Sequence, residues 1–326
     1  MNLFRLKSYA VLLACTLVFS SCKKEDDTPT PVTPQMSTIA EIAVANGNFT
    51  ILVDALTRTG LDVTVADANQ TLTVFAPTDD AFMDLLSELG LSSLDEVEAA
   101  LGTDGLQNVL LYHVLGSVVT STMVPTGYVR TLATNATSDA LSIYTSTTAG
   151  VIINDRATVT TADVMASNGV IHIIDQVILP MSIYQLLEVN PTYATLTAAL
   201  GIADGGLDAL MSDPTSGPFT LFAPDEVAFG NLLTELNLAD VPALVDALGT
   251  DGLSGVLTYH VVSGNVNSDE VPSGSVQTVN GQNISIDLSN GVVITDTQNR
   301  MSTVTSVDIQ GTNGVIHGIN TVILPN

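Results

Sequence analysis

The residues of this sequence best suited to acid–base chemistry or metal binding are its histidines, which fall in two matching pairs. They are His113, His172, His260 and His317. Each lies in an apolar, strand-like stretch, and no HxH or HExxH spacing would place two imidazoles on one face. We therefore expect buried, hydrogen-bonded core histidines and no metal site.

A tyrosine precedes one histidine of each pair. Tyr112-His113 recurs as Tyr259-His260. A tyrosine in such a position buries its ring while its hydroxyl finds a backbone partner. The Tyr-His pairs are therefore expected to be structural.

Other catalytic patterns are also missing from the sequence. It has no GxSxG elbow and no glycine loop that would cradle a phosphate. Its 34 Asp and Glu residues leave a paired-carboxylate hydrolase open as an alternative, but they are scattered over two copies of one unit. Trp is absent and aromatic residues make up 5% of the chain, which disfavours sugar stacking. We expect no enzyme activity and no cofactor, with glycan as a less favoured partner.

The charge balance excludes one class of partner. Eight basic residues face 34 acidic ones, giving a formal net charge of −26 at pH 7. Such a surface repels nucleic acid and anionic lipid. It could attract divalent cations, although no dense carboxylate loop of calcium-binding spacing is present.

The first 21 residues have the pattern of a secretory signal. Arg5 and Lys7 precede an apolar run over residues 9–19, which is shorter than the roughly twenty residues a membrane span needs. Small residues directly before Cys22 resemble the lipobox of bacterial lipoproteins, with Phe19 departing from its usual leucine. This predicts a signal peptide over 1–21 and lipidation of Cys22; an ordinary secretory signal is the alternative.

Residues 22–36 combine this cysteine with a charge run and a proline-rich stalk. Residues 23–27 read Lys-Lys-Glu-Asp-Asp and resemble the export signal of Bacteroidota surface lipoproteins. We therefore expect an outer membrane lipoprotein exposed on the cell surface and held to the membrane only by its N-terminal lipid.

The remainder of the chain consists of two copies of one unit. Phe75-Ala76-Pro77 recurs 147 positions later as Phe222-Ala223-Pro224, and Asn168-Gly169-Val170-Ile171-His172 recurs as residues 313–317. Solenoid repeats run only about 20 to 50 residues, so this period indicates whole domains. The predicted domains are 37–180 and 181–326.

Within each copy the pattern changes from helical to strand-like. A strand over 72–75 precedes a helix capped by Thr78, whose predicted buried stripe is Phe82, Leu85, Leu86 and Leu89. The second copy has Asp225 as the cap and Phe229, Leu232, Leu233 and Leu236 as the stripe. The Leu-Gly-Thr-Asp-Gly-Leu segments at 101–106 and 248–253 are predicted turns. Short β-branched strands follow, so the fold class is α+β.

These motifs together resemble the fasciclin domain. The segment from Thr73 through Phe82, the Tyr-His pair and the segment from Asn168 through Pro180 stand in the family order, and both copies carry all three. The resemblance implies a wedge-shaped β-sandwich with flanking α-helices. It also implies a non-catalytic role in cell adhesion or binding of an extracellular protein or matrix component; a passive envelope spacer is the remaining alternative.

The resemblance further suggests where a partner binds. Asp163-Val164 looks like the Asp-Ile motif through which animal fasciclin domains engage integrins, and Asp308-Ile309 holds the same place in the second copy. Gln310 departs from the family pattern where Met165 agrees with it. The alternative is that Val164 and Ile309 pack into the core while the aspartates cap a turn.

Overall fold

The computed structural model describes residues 36–326, and within them the two copies repeat one order of elements. The first domain contains α1 (Ile39–Ala45), α2 (Thr50–Thr59), α3 (Asp62–Ala66), β1 (Leu72–Pro77), α4 (Asp79–Leu89), α5 (Leu94–Tyr112), β2 (Val114–Leu115), β3 (Gly127–Thr134), β4 (Ala140–Ser146), β5 (Ile152–Ile153), β6 (Ala157–Ala166) and β7 (Gly169–Ile174).

The second domain repeats this series with a short 3-10 helix, Pro191–Tyr193, inserted near its start. Its elements are α6 (Ile183–Glu188), α7 (Ala194–Ile202), α8 (Leu207–Ser212), β8 (Phe219–Pro224), α9 (Glu226–Glu235), α10 (Val241–Tyr259), β9 (Val261–Ser263), β10 (Gly274–Gln277), β11 (Asn283–Asp287), β12 (Val293–Thr295), β13 (Met301–Gly311) and β14 (Gly314–Ile319).

Each domain has one mixed sheet of seven strands. The first has the order β2-β1-β7-β6-β5-β4-β3, and the second has the same order with the corresponding strands. The pair β1–β7 is parallel, whereas the other pairs are antiparallel. A parallel pair needs a crossover connection, so this pairing joins the helical half of each copy to its last strand.

The parallel pairing depends on a glycine at the start of β7. A Cβ on Gly169 would lie 2.0 Å from the carbonyl oxygen of Leu72, and one on Gly314 would lie 2.2 Å from that of Phe219. No side chain fits at such a distance from backbone. The glycine of the Asn-Gly-Val-Ile-His segment is therefore required by close strand packing.

The sheet curls so that its two ends enclose a second core. Leu72 and Val74 face the helices, whereas Phe75 contacts the cluster that contains Leu141 and Ile143 of β4. In the sheet order β4 is four strands away from β1, so flat strands could not make this contact. Each domain is thus a sheet folded on itself with helices along one side, which confirms the predicted α+β fasciclin fold.

The helix caps follow the sequence closely. Thr78 accepts a hydrogen bond from the N–H of Ala81 (3.2 Å), and Asp225 accepts one from the N–H of Ala228 (2.8 Å). Such side chains satisfy N–H groups that the first helical turn leaves unpaired. Gly90 ends α4 in the left-handed conformation, with φ 68°.

Two predictions on the helices were wrong. Leu89 and Leu236 close the predicted buried stripes, yet they are 48% and 42% exposed. The predicted turns lie inside α5 and α10: the positive φ is at Gly102 (74°) and Gly249 (72°), where each helix kinks. The helix resumes directly after each kink, because one positive-φ glycine changes the chain direction without a longer loop.

The first helix of each copy is tied to its own last hairpin. The side-chain oxygen of Asn168 accepts from the N–H of Ile39, and that of Asn313 accepts from the N–H of Ile183, each at 2.9 Å. Both asparagines are buried. Each copy therefore closes on itself between these residues.

Candidate functional site

Asp163-Val164 and Asp308-Ile309, each an aspartate followed by a β-branched residue, are called here the Asp-branched pairs. The aspartate of each pair lies at an irregular point of a long strand. Asp163 in β6 and Asp308 in β13 both have φ 59°, and the pairing register shifts just before each of them. A non-glycine residue with positive φ is disfavoured unless its surroundings hold it there. The same conformation in both copies shows that it belongs to the fold.

A serine in the loop after the Tyr-His segment holds each aspartate. The carboxylate of Asp163 accepts from the N–H (2.8 Å) and hydroxyl (2.5 Å) of Ser121. Asp308 accepts the same pair from Ser268, at 2.7 and 2.8 Å. The bonds from the Ser121 hydroxyl and N–H lower the pKa of Asp163, because they favour the charged form. Each carboxylate thus clamps a loop to a strand.

The second histidine of each copy lies beside this clamp. The N–H of Asp163 donates to Nδ1 of His172 (3.3 Å), so Nε2 carries the proton and donates to the carbonyl of Val119 (2.9 Å). His317 does the same with Asp308 (3.3 Å) and Val266 (2.9 Å). Both ring nitrogens of each histidine are occupied, and the rings act as hydrogen-bond bridges.

The Tyr-His pairs form a second set of buried hydrogen bonds in each domain. Nδ1 of His113 donates to the carbonyl of Val109 (2.8 Å), and Nε2 accepts from the N–H of Ile178 (3.1 Å). Burial lowers the pKa of His113 to about 4, so the ring is neutral at pH 7. The hydroxyl of Tyr112 donates to the carbonyl of Ser142 (2.7 Å).

The second copy repeats this arrangement. His260 bonds Val256 (2.8 Å) and Ile323 (3.2 Å), and burial lowers its pKa to about 4 as well. The hydroxyl of Tyr259 donates to the carbonyl of Asn283 (2.9 Å). Within residues 36–326, no group of three or more His, Cys, Asp or Glu side chains is placed to hold a metal ion.

The two Asp-branched pairs differ in what lies over them. Val164 is half-buried and Met165 is 50% exposed, whereas Ile309 and Gln310 are 4% and 2% exposed. Val164 and Ile309 each pack against the core of their own domain. The neighbouring domain covers Gln310, because β13 packs against β4 of the first domain. The structure therefore leaves Met165 open to solvent and covers Gln310, whereas Asp163 and Asp308 are both partly buried.

Polar contacts hold this interdomain face together. Arg130 forms an ion pair with Asp308 (Nη2 to Oδ2, 3.2 Å). Hydrogen bonds across the interface include Tyr128 Oη to Leu186 O (2.6 Å), Asn265 Nδ2 to Asp139 Oδ2 (2.6 Å), Asn267 Nδ2 to Asp139 Oδ1 (2.7 Å), Asn135 Nδ2 to Gln310 Oε1 (3.2 Å) and Gln310 N to Ser142 Oγ (3.0 Å).

The carboxylate of Asp139 accepts two hydrogen bonds across the interface. Burial alone would raise its pKa, but hydrogen bonds from Thr137, Asn267 and Asn265 outweigh that effect and lower it. The carboxylate therefore stays charged between the domains at neutral pH, with an amide donor on each oxygen.

Sequence reasoning did not identify the interface residues, although a signal for them is present. At the positions that correspond to Asn265, Asn267 and Gln310, the first domain has Val118, Thr120 and Met165. Conversely, Tyr128 and Arg130 correspond to Ser275 and Gln277. Differences between otherwise matching copies mark the surfaces where the two domains meet.

The predicted anchor lies outside the described residues. The signal peptide over 1–21, Cys22 and the charge run fall before residue 36. Among residues 36–326, no helix combines the length and the apolar composition that a membrane crossing requires.

Comparisons with known proteins agree with this architecture. Transforming growth factor-beta-induced protein ig-h3 of Sus scrofa is 29% identical over 260 residues, which is 78% of this chain and 35% of that protein. Protein sll1483 of Synechocystis sp. is 39% identical over 145 residues, covering 44% of this chain and 74% of that protein. This chain thus spans about a third of the length of the ig-h3 protein.

A solved structure and a family profile complete the comparison. The FAS1 domain pair of the insect cell adhesion molecule fasciclin I matches with a TM-score of 0.46 and 16% identity, covering 87% of this chain and 95% of that chain. The profile of the fasciclin domain matches residues 47–180 and 191–325, which together make up most of the sequence. The chain therefore belongs to the fasciclin domain family and carries two such domains in tandem.

Proposed function

We propose that this chain is a non-catalytic binding or adhesion protein of the outer cell surface, and that its first domain carries the contact surface. The observation that supports this proposal is the exposure of Met165 beside the partly buried Asp163. The corresponding residue of the second domain, Gln310, is buried against the first domain. A face that serves as an interface in one copy is free in the other.

The composition of the free face supports a binding role. The second domain has three amides there, whereas the first has Val118 (37% exposed) and Met165 (50% exposed) near the clamped carboxylate of Asp163. Exposed apolar residues that lie together on one face can serve as a contact surface. We call this surface, formed by Val118, Asp163 and Met165, the open face; Val164 packs against the core beneath it.

The second domain indicates what kind of group the open face accepts. There the corresponding carboxylate, Asp308, pairs with the guanidinium of Arg130. By analogy, the partner of Asp163 presents a cationic side chain beside apolar groups. An extracellular protein or matrix component with a basic patch fits this requirement, and the net charge of −26 assists its approach.

The matched pair of aspartates allows a controlled test. Soluble protein is immobilised on beads, and saturable binding is measured on arrays of extracellular proteins, matrix components and glycans. Asp163→Asn keeps an acceptor for Ser121 but removes the charge, so binding should fall about tenfold, the effect of one charge-assisted hydrogen bond. The control Asp308→Asn should leave binding unchanged. Equal loss in both variants, or no saturable binding at all, would contradict the proposal.

The location is tested separately. We propose that Cys22 is lipidated and that the domains face outward. Cys22→Ala should release the protein from membranes. Protease added to intact cells should digest the wild-type protein. Full protection would contradict the outward orientation but would not change the result of the binding test.

A further inference from the structure

The first domain contains an apolar cavity that the adhesive surface does not use. It has a volume of about 550 Å³ and lies between α4, α5 and the segment after β7. This size is within the usual range of small-molecule sites. Phe82, Leu86, Leu106 and Leu110 line its interior, and Leu89 and Leu101, at 48% and 49% exposure, lie at its mouth.

The kink in α5 shapes this cavity. Gly102 has φ 74° and ψ 166°, so the helix changes direction between Leu101 and Leu106. Residues on both sides of the kink therefore line the same cavity. The kink explains why Leu89 and Leu101 remain exposed: the two limbs of α5 leave a gap over α4.

The two hydrogen-bonding side chains that line the cavity are already satisfied. His113 uses both ring nitrogens, toward Val109 and Ile178. Asn108 donates to the carbonyl of Thr134 and accepts from its N–H, both at 2.9 Å. A ligand with polar atoms inside the cavity would find no side-chain partner for them, and burying unpaired polar atoms is costly. The occupant must therefore be apolar along its buried length.

The charges of the domain constrain the part of the ligand that remains in solvent. Its arginines, Arg58, Arg130 and Arg156, each form an ion pair with a carboxylate. Glu88 and Glu98 adjoin the lining residues Leu89 and Val97 in the sequence. They pair with Arg156 and Arg58, and Arg58 also pairs with Asp54 and Asp95, so four carboxylates share two guanidinium groups here. An anionic head at the mouth would meet carboxylates and no free guanidinium, whereas an uncharged or cationic head would not be repelled.

We infer that this cavity binds a single acyl or alkyl chain whose polar head is uncharged or cationic. At about 30 Å³ for each water-sized group, the cavity holds about eighteen heavy atoms, which is the size of one long chain. The site is separate from the open face and goes beyond the adhesive function.

The inference is tested with residues 22–326 carrying Cys22→Ser, so that no attached lipid competes. The neutral fluorophore N-phenyl-1-naphthylamine serves as the probe and is displaced by alkanols of increasing length. Each added methylene should strengthen displacement about fourfold until the cavity is full. At pH 8, decanol should displace the probe at least tenfold more strongly than decanoate. Equal displacement by the two, or no dependence on chain length, would overturn the inference.

A matched pair of variants assigns the site. Ala100 lines the cavity and is exposed, so Ala100→Trp should fill the mouth and weaken probe binding at least tenfold without unfolding the domain. Ala247 is the corresponding exposed residue of the second domain, and Ala247→Trp should leave binding unchanged. If Ala100→Trp does not fold, Leu101→Ser provides the same test at the mouth. If the first-domain variant that folds binds the probe as strongly as the unsubstituted chain does, the probe lies elsewhere and the assignment is wrong.

Probe binding by the lipidated protein shows where the bound acyl or alkyl chain comes from. If the lipidated protein no longer takes up the probe, its own N-terminal lipid occupies the cavity. If it binds as the Cys22→Ser chain does, the occupant is a separate lipid. Both results support the site.

Discussion

The segments around Asp163 and Asp308 have the same local structure, but only the second is covered. In both, φ is 59° and a serine hydroxyl and N–H hold the carboxylate. In the second domain an arginine joins the carboxylate and Gln310 is buried against β4. Duplication has thus preserved a structural clamp, and the position of the neighbouring domain decides whether the clamp also presents a surface.

The largest effect is expected at the glycine that both copies require. Gly169→Ala places a methyl group 2.0 Å from the Leu72 carbonyl oxygen, where backbone cannot move aside. We expect a loss of more than about 4 kcal/mol in the free energy of unfolding of the first domain. Calorimetry of the full chain should show the second domain still unfolding cooperatively.

Gly314→Ala is the matched change, with a methyl group 2.2 Å from the Phe219 carbonyl oxygen. It should remove the transition of the second domain and leave that of the first. If either glycine change abolishes both transitions, the two domains are one cooperative unit and cannot be compared as separate folds.

Acid should weaken both domains through the Tyr-His pairs. Burial lowers the pKa of His113 and of His260 to about 4, so both rings are neutral in the folded chain. The unfolded chain takes up these protons below about pH 6.5, so stability present above pH 6.5 is lost as pH falls toward 4, by about 3 kcal/mol for each ring. His317, whose pKa is also lowered by burial, adds to the loss in the second domain.

Urea unfolding of the full chain between pH 7 and 4.5 measures this loss. His113→Gln should flatten the pH dependence of the first transition alone, and His260→Gln that of the second. A slope unchanged by either substitution would assign the acid sensitivity to other groups.

The residue that follows each Asp-branched pair, Met165 or Gln310, can be exchanged for that of the other copy. The two exchanges should differ in their effect on stability, and the larger effect should be intermediate in size. Gln310→Met removes the hydrogen bonds of this side chain to Asn135 and Asn267, at a cost of about 1 to 3 kcal/mol. Met165→Gln changes an exposed side chain and should shift stability by less than about 0.5 kcal/mol. Thermal unfolding of the two variants provides the comparison; equal effects would show that the interface does not bury Gln310.

The smallest effect is expected at the ion pair between the domains. The side chain of Arg130 is 59% exposed, so Arg130→Gln should cost less than about 1 kcal/mol in low salt and nothing measurable in high salt. Binding through the open face should not change, because Arg130 pairs with Asp308 of the second domain and is not part of the open face. A loss above 2 kcal/mol would show that the pair is more protected from solvent than its exposure indicates.

Several structural features followed from particular residues. Thr78 and Asp225 cap their helices as predicted because capping is a contact within one turn. The predictions for Leu89 and for Asp104-Gly105 were wrong because they depend on how α4 and the two limbs of α5 lie against each other. The cavity between them could not be predicted, since helical periodicity does not show whether another helix covers the stripe.

By itself, the sequence determined the family, the duplication, the caps and the α+β class, all of which depend on local patterns or on the matching of one copy with the other. Only the tertiary structure decided that β1 pairs with β7, that α5 leaves a cavity and that Met165 is open while Gln310 is covered. These features depend on contacts between residues far apart in the chain. Two segments with the same backbone conformation can therefore differ in exposure because their neighbours differ.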